Sequence, residues 1–218
     1  MSIVQLKEST ARLVAAQLLE IQAIKLNSEN PFTWSSGWKS PIYCDNRLSL
    51  SYPALRSYIK EQLAEAIKEN FQEAACIAGV ATAGVPQGAL VADVLDLPYI
   101  YVRPKPKDHG MGNLIEGKIE KGQKVVLVED LISTGGSSLK AAQALQETGF
   151  VVLGMVAIFT YGFDVASKNF EDAKIPLVCL SDFNWLVKEA VAKKYISEDQ
   201  LSHIQSWRES PETWGNSE

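Results

Sequence analysis

A chain of 218 residues, 46% hydrophobic and 22% charged, is sized for one packed domain and is not composed like a disordered chain. Its net charge of −5 excludes a nucleic-acid binder that works through bulk positive charge. Three dispersed cysteines (Cys44, Cys76, Cys179), no CxxC pair and two histidines (His109, His203) exclude a Cys/His zinc site and fit free thiols in a reducing compartment.

In chain order, Lys7 and Glu8 interrupt the opening segment too early for a signal peptide, and no apolar run approaches the ~18 residues that span a bilayer. A soluble cytoplasmic protein with no membrane partner is expected. Residues 10–25 carry a helical apolar stripe (Leu13, Val14, Leu18, Leu19, Ile21, Ile24), with Ser9 or Thr10 as N-cap. Residues 30–47, NPFTWSSGWKSPIYCDNR, are aromatic and turn-rich, which predicts short strands and turns. Residues 53–70 return to helical spacing, with Pro53 in the first turn. From residue 75 apolar strands alternate with helices: strands at 75–80, 97–102, 123–130, 150–161 and 175–180, and helices at 86–95 and 137–148. Residues 182–207 are expected to be helical with a break near Ser197. Fully apolar strands separated by helices imply an α/β fold whose parallel sheet is covered on both faces. The core is placed at 54–180, with residues 1–52 and the C-terminal helices forming a smaller cap.

Residues 125–138, VVLVEDLISTGGSS, carry the most chemistry. Val125 to Val128 form a buried strand, and Glu129 and Asp130 follow at its carboxyl end, where open α/β sheets bind ligands. Two acids there suit the vicinal hydroxyls of a ribose and help to hold Mg2+ directly or through water. Leu131 and Ile132 lead into Ser133, Thr134, Gly135, Gly136 and Ser137, at the start of a helix. Glycines let the backbone approach an anion, the helix N-terminus supplies N–H groups, and Thr134, Ser137 and Ser138 add hydroxyl donors. The expected ligand therefore carries both a ribose diol and a phosphate. A competing phosphate loop at 112–118, GNLIEGK, has Ile119 where a nucleotide triphosphatase needs Ser or Thr, and no GxGxxG follows a strand.

Val125 to Ser138 resembles the phosphoribosyl pyrophosphate motif of type I phosphoribosyltransferases. The resemblance implies that family's fold, a parallel sheet flanked by helices with a small N-terminal hood, and a donor site spanning 129–137. Arg103, Lys105, Lys107 and His109 lie in a Pro/Gly-rich loop, YVRPKPKDHGMGN, whose cations would close over departing pyrophosphate. Arg103, Lys107, His109 and Gly110 resemble the catalytic loop of orotate phosphoribosyltransferases. In that family the loop reaches the partner subunit's site, which implies a homodimer. The hood signature of the same family is matched by Phe32-Thr33, Ser36-Gly37, Ser40-Pro41, Tyr43 and Asp45.

Together these imply Mg2+-dependent transfer of the 5-phosphoribosyl group to N1 of orotate, a step of pyrimidine biosynthesis that yields orotidine 5′-phosphate and pyrophosphate. By motif position Glu129 and Asp130 hold the ribose, Ser133 to Ser137 the 5′-phosphate, and Ser133 also touches orotate. Arg103 and Lys107 neutralise pyrophosphate, and His109 donates to the leaving group. Magnesium would be held mainly through the ligand and water. Ser35, Ala83 and Tyr161 stand where one branch of the family has charged residues, so the contacts of the orotate carboxylate are unassigned. Pro104 also departs from some branches, which leaves one pyrophosphate contact absent or supplied by Lys105. Two other readings share the donor site: a purine phosphoribosyltransferase, which would lack the hood signature, and a ligand-sensing transcriptional regulator, which would need a basic DNA-binding face.

Overall fold

The computed structural model describes residues 7–34, 36–105 and 114–215. α1 (Glu8–Glu20) begins one residue before the expected cap. Lys7 flanks it without a side-chain cap, since an ammonium has no acceptor to offer, and the Thr10 hydroxyl inside the helix donates to Gln62 Oε1 of the next helix (2.7 Å). The helix stops at Glu20 rather than Lys25: Gln22 adopts a left-handed conformation (φ 57°) and Ile24 enters a strand.

The 24–44 segment forms two small antiparallel ribbons. β1 (Ile24–Leu26) pairs with β4 (Ile42–Cys44), and β2 (Phe32–Thr33) pairs with β3 (Lys39–Ser40). The buried Ser40 hydroxyl donates to the carbonyl of Ile42 (2.8 Å) and accepts from its N–H (3.0 Å), turning one ribbon into the other. A 3-10 turn (Asn46–Ser51) then leads to α2 (Pro53–Asn70), whose bounds match the apolar spacing and the N-terminal proline.

The core alternates as expected: β5 (Cys76–Val80), α3 (Gly84–Leu95), β6 (Tyr99–Val102), β7 (Ile115–Glu116), β8 (Lys124–Ile132), α4 (Gly136–Glu147), β9 (Val151–Thr160), α5 (Asp164–Asp172), β10 (Leu177–Asp182), α6 (Phe183–Ala192) and α7 (Glu198–Glu209). Strand order is β10-β9-β8-β5-β6-β7, parallel except for β7, which runs antiparallel along β6. On one face Ile77, Val126, Val128, Val156 and Ile158 pack against α1, α2, α3 and α6. On the other, Ala78, Val125, Leu127, Met155 and Ala157 pack against Ala142 and Leu145 of α4 and Phe170 of α5. Burial on both faces is what makes these strands continuously apolar.

α5 was not expected. Only Ala166 and Phe170 of its nine residues are buried, so its sequence reads as a polar loop. α7 begins where the break near Ser197 was expected: Ser197 and Gln200 form a reciprocal capping box. Among the described residues no helix is long and apolar enough to cross a membrane.

Candidate active site

The loops after β5, β6, β8 and β9 share one edge of the sheet, because these strands are parallel and in register. Pairing of β8 with β5 ends at Gly79↔Val128, whereas pairing with β9 continues to Ile132↔Thr160. β8 thus ends two residues further on than the sequence suggested, and Glu129 and Asp130 belong to its terminal stretch. On the flank that β5 has left, the start of α3 presses close. A Cβ on Gly84 would lie 2.4 Å from the Val128 carbonyl oxygen, so glycine is what lets α3 meet the strand there.

Glu129 is buried, and both of its oxygens are engaged: Oε1 accepts the Asp130 N–H (3.0 Å) and Oε2 the Ser138 hydroxyl (3.0 Å). Ser138 therefore braces the acid instead of joining the phosphate donors. Burial, then the adjacent Asp130 charge, pushes the Glu129 carboxyl well above its ordinary range. Burial also raises Asp130, but the hydrogen bond from Glu129 and the nearby Arg47 guanidinium oppose that rise. Burial thus raises both carboxyls and disfavours a full charge on both acids at once. Arg47 itself forks onto Asp45 (Nε–Oδ1 2.6 Å).

The turn after β8 is built for close backbone approach. Gly135 is left-handed (φ 77°), and a Cβ there would sit 2.6 Å from the Phe170 ring, so two constraints require glycine. Asn169 Nδ2 donates to the Thr134 carbonyl (2.9 Å), so α5 backs the turn from behind. Ser133 and Thr134 are half-buried, and Gly136 and Ser137 are exposed at the first turn of α4. No side chain caps α4 and its first turn has no acid, which leaves the positive helix end facing outward. A Cβ on Gly136 would meet only Thr134 Oγ1, at 3.8 Å, so nothing in the protein forbids a side chain there. The space it would enter is the cradle an anion needs.

Arg103 follows β6, where its N–H donates to the Leu114 carbonyl (2.8 Å) and its guanidinium pairs with Glu116 (3.4 Å). Lys105 is exposed. Lys107 and His109 lie outside the described residues, as does Ser35. Ala83 immediately precedes α3, and the Ala81–Thr82 peptide bond beside it is cis. Tyr161 is buried against Trp34 (ring centroids 5.0 Å), Phe163 (5.5 Å) and Trp207 (5.5 Å), and its carbonyl accepts from Arg208 Nε (3.1 Å). The position that is charged elsewhere is an apolar joint in this chain. Trp34 and Trp38 belong to that joint, while Phe32 pairs with the exposed Tyr43 (5.6 Å). Three residues after Tyr43, Asn46 Nδ2 donates to the Asp130 carbonyl (2.7 Å), which ties the segment bearing the aromatic pair to the acidic strand end. Among the described residues no cluster of three or more His, Cys, Asp or Glu could hold a metal.

A model of the phosphoribosyl transferase domain matches residues 51–194. The chain is 61% identical over 201 residues to the orotate phosphoribosyltransferase of Cytophaga hutchinsonii, covering 92% of this chain and 96% of that one. It belongs to the orotate phosphoribosyltransferase family. The enzyme of that name from Porphyromonas gingivalis is 55% identical over 208 residues, covering 95% of this chain and 99% of its own. The crystal structure of orotate phosphoribosyltransferase from Aeropyrum pernix superposes with a TM-score of 0.73 at 28% identity, covering 84% of this chain and 99% of the other. Asn169 and Phe170, which support the phosphate turn, were missed in the sequence because nothing in α5 marks a helix that faces a loop.

The two glycines should separate structure from binding. Gly135→Ala is expected to lower stability by about 1–3 kcal/mol in urea unfolding, through strain and overpacking. Gly136→Ala should leave stability within about 0.5 kcal/mol while raising the KM for the phosphorylated donor roughly tenfold or more. Equal loss of stability in both would show that the cradle is structural.

Glu129→Gln should trade function for stability. A carboxyl raised by folding supports the fold while protonated, and that support is lost as pH climbs through the folded pKa. The variant should melt higher than wild type at pH 7–8, and the gap should close toward about pH 4, near the ordinary carboxylate range. Thermal unfolding across pH measures this, and turnover should fall in the same variant.

Proposed function

We propose that this chain transfers the 5-phosphoribosyl group of phosphoribosyl pyrophosphate to N1 of orotate, releasing pyrophosphate. The observation that carries the reading is the acidic end of β8 beside the uncapped, open N-terminus of α4, in a chain 61% identical to a relative named for this activity.

In this reading Gly136 and Ser137 N–H groups and the Ser133, Thr134 and Ser137 hydroxyls hold the 5′-phosphate, with the turn of Gly135 setting their direction. Asp130 accepts from a ribose hydroxyl and faces the positive charge that develops at C1 as its bond to pyrophosphate breaks. Glu129 holds the strand end in place by accepting the Asp130 N–H and the Ser138 hydroxyl. The orotate ring rests against the Phe32–Tyr43 pair, with Ser133 at its edge. Its ionised N1 supplies the electron pair that forms the new C1–N1 bond, so no side-chain nucleophile is required.

Arg103 and Lys107 take up the charge of the leaving pyrophosphate and His109 donates to it. Mg2+ bound to the diphosphate would supply further charge neutralisation, and Asp130 is the carboxylate best placed to assist in holding it. The donor set fits a metal carried mainly by its ligand, since Glu129 is already occupied by protein donors. The reading includes a homodimer in which the 103–110 loop completes the partner's site. It places the protein in the cytoplasm, in keeping with three free thiols.

Loss of orotate absorbance on adding phosphoribosyl pyrophosphate and Mg2+, with adenine, guanine and uracil as parallel acceptors, tests the assignment. Turnover with orotate alone is expected, and turnover of a purine without orotate would replace it. Lys107→Ala should cut kcat by about 100-fold or more, on the scale of losing one electrostatic donor to a transition state, with an unchanged melting temperature. Wild-type kcat in that variant would remove the basic loop from the chemistry.

A further inference from the structure

Asn46 is fully buried between the N-terminal ribbons and the strand end that carries the acids. Its amide makes two bonds of opposite sense: Nδ2 donates to the main-chain carbonyl of Asp130 (2.7 Å), and Oδ1 accepts from the Cys44 thiol (3.3 Å). The amide orientation is therefore fixed from both sides. The connection continues inward. The buried Ser49 hydroxyl donates to the Asn46 carbonyl (2.6 Å) and accepts from Gln87 Nε2 (3.3 Å), and Gln87 lies in the first turns of α3.

Three segments meet through this run of polar side chains. Tyr43, on the aromatic side, lies three residues before Asn46. Asp130, on the ribose side, is held by the Asn46 amide through its backbone. α3 starts directly after the 81–83 turn at the end of β5. An apolar contact could join the same segments, but only directional bonds fix their relative placement, and a buried donor or acceptor left without its partner costs about 1–3 kcal/mol.

We propose that Asn46 is a positioning residue that holds the acceptor-base segment and the ribose-binding strand end in the register needed for transfer. The inference rests on the proposed reaction. There the acceptor N1 comes from the side of the N-terminal ribbons and the ribose C1 from the side of β8, so the two reacting atoms are held by chain segments joined at Asn46. Effective molarity depends on that spacing, and a displacement on the order of 1 Å costs about 100-fold in rate. Asn46 touches neither reactant in this arrangement and acts through the Asp130 backbone.

Asn46→Asp and Asn46→Ala test this. The aspartate keeps the shape and the acceptor for Cys44 but removes the N–H donor to Asp130, so it serves where the alanine fails to fold. For folded variants, kcat with orotate should fall about 10- to 100-fold while the KM for phosphoribosyl pyrophosphate stays within about threefold, because the phosphate turn itself is untouched. A kcat within threefold of wild type in Asn46→Asp, or a loss carried by KM alone, overturns the proposal. Wild-type turnover of orotate in the same assay reports on the functional reading separately.

Discussion

The overhang of β8 past its neighbour β5 is the constraint from which the site follows. A strand end paired on one flank alone leaves its outer backbone to be fixed by other means, and each of those means brings in a functional element. β9 holds one flank as far as Thr160. On the other side, α3 arrives through Gly84 and the N-terminal segment through Asn46. Ser138 closes over Glu129 from α4. The acidic strand end thus sits where four separate segments of the chain converge.

What was legible in the sequence and what was not divide along physical lines. The alternation of apolar strands with helices was readable, because burial on both faces demands uninterrupted Val, Ile and Leu. The turn after β8 was readable too, since Thr134-Gly135-Gly136 after an acid pair marks the passage from a strand end into a helix start. The division of labour within that turn was not. Gly135 is glycine for backbone conformation and for Phe170, Gly136 for open space, and the two look alike as letters. Ser138 was expected to donate outward to an anion and instead donates inward to Glu129. α5 escaped notice because two buried side chains in nine residues leave no stripe to read. The aromatics of 32–43 split in the same way. Trp34 and Trp38 build the interior joint while Phe32 and Tyr43 face outward, and only tertiary contacts tell them apart.

Glu129 shows how stability and function oppose each other at such a strand end. A carboxyl buried beside a second carboxyl raises the energy of the folded state at neutral pH, and any apolar residue of similar volume would ease it. Its presence is intelligible if the strand end must offer a pair of acids to a ligand. The open helix end of α4 has the same character: a capping side chain would stabilise the helix by about 1 kcal/mol and occupy the cradle.

The aromatic joint around Tyr161 has a consequence for how the chain assembles. Trp34 comes from near the start of the sequence, Tyr161 from the end of a central strand, and Trp207 and Arg208 from the last helix. These residues stand far apart in sequence, so the joint closes long loops and bears a correspondingly large closure entropy. The N-terminal ribbons and α7 are thereby committed to one seam, and loss of either would bare the aromatic rings of the other to solvent.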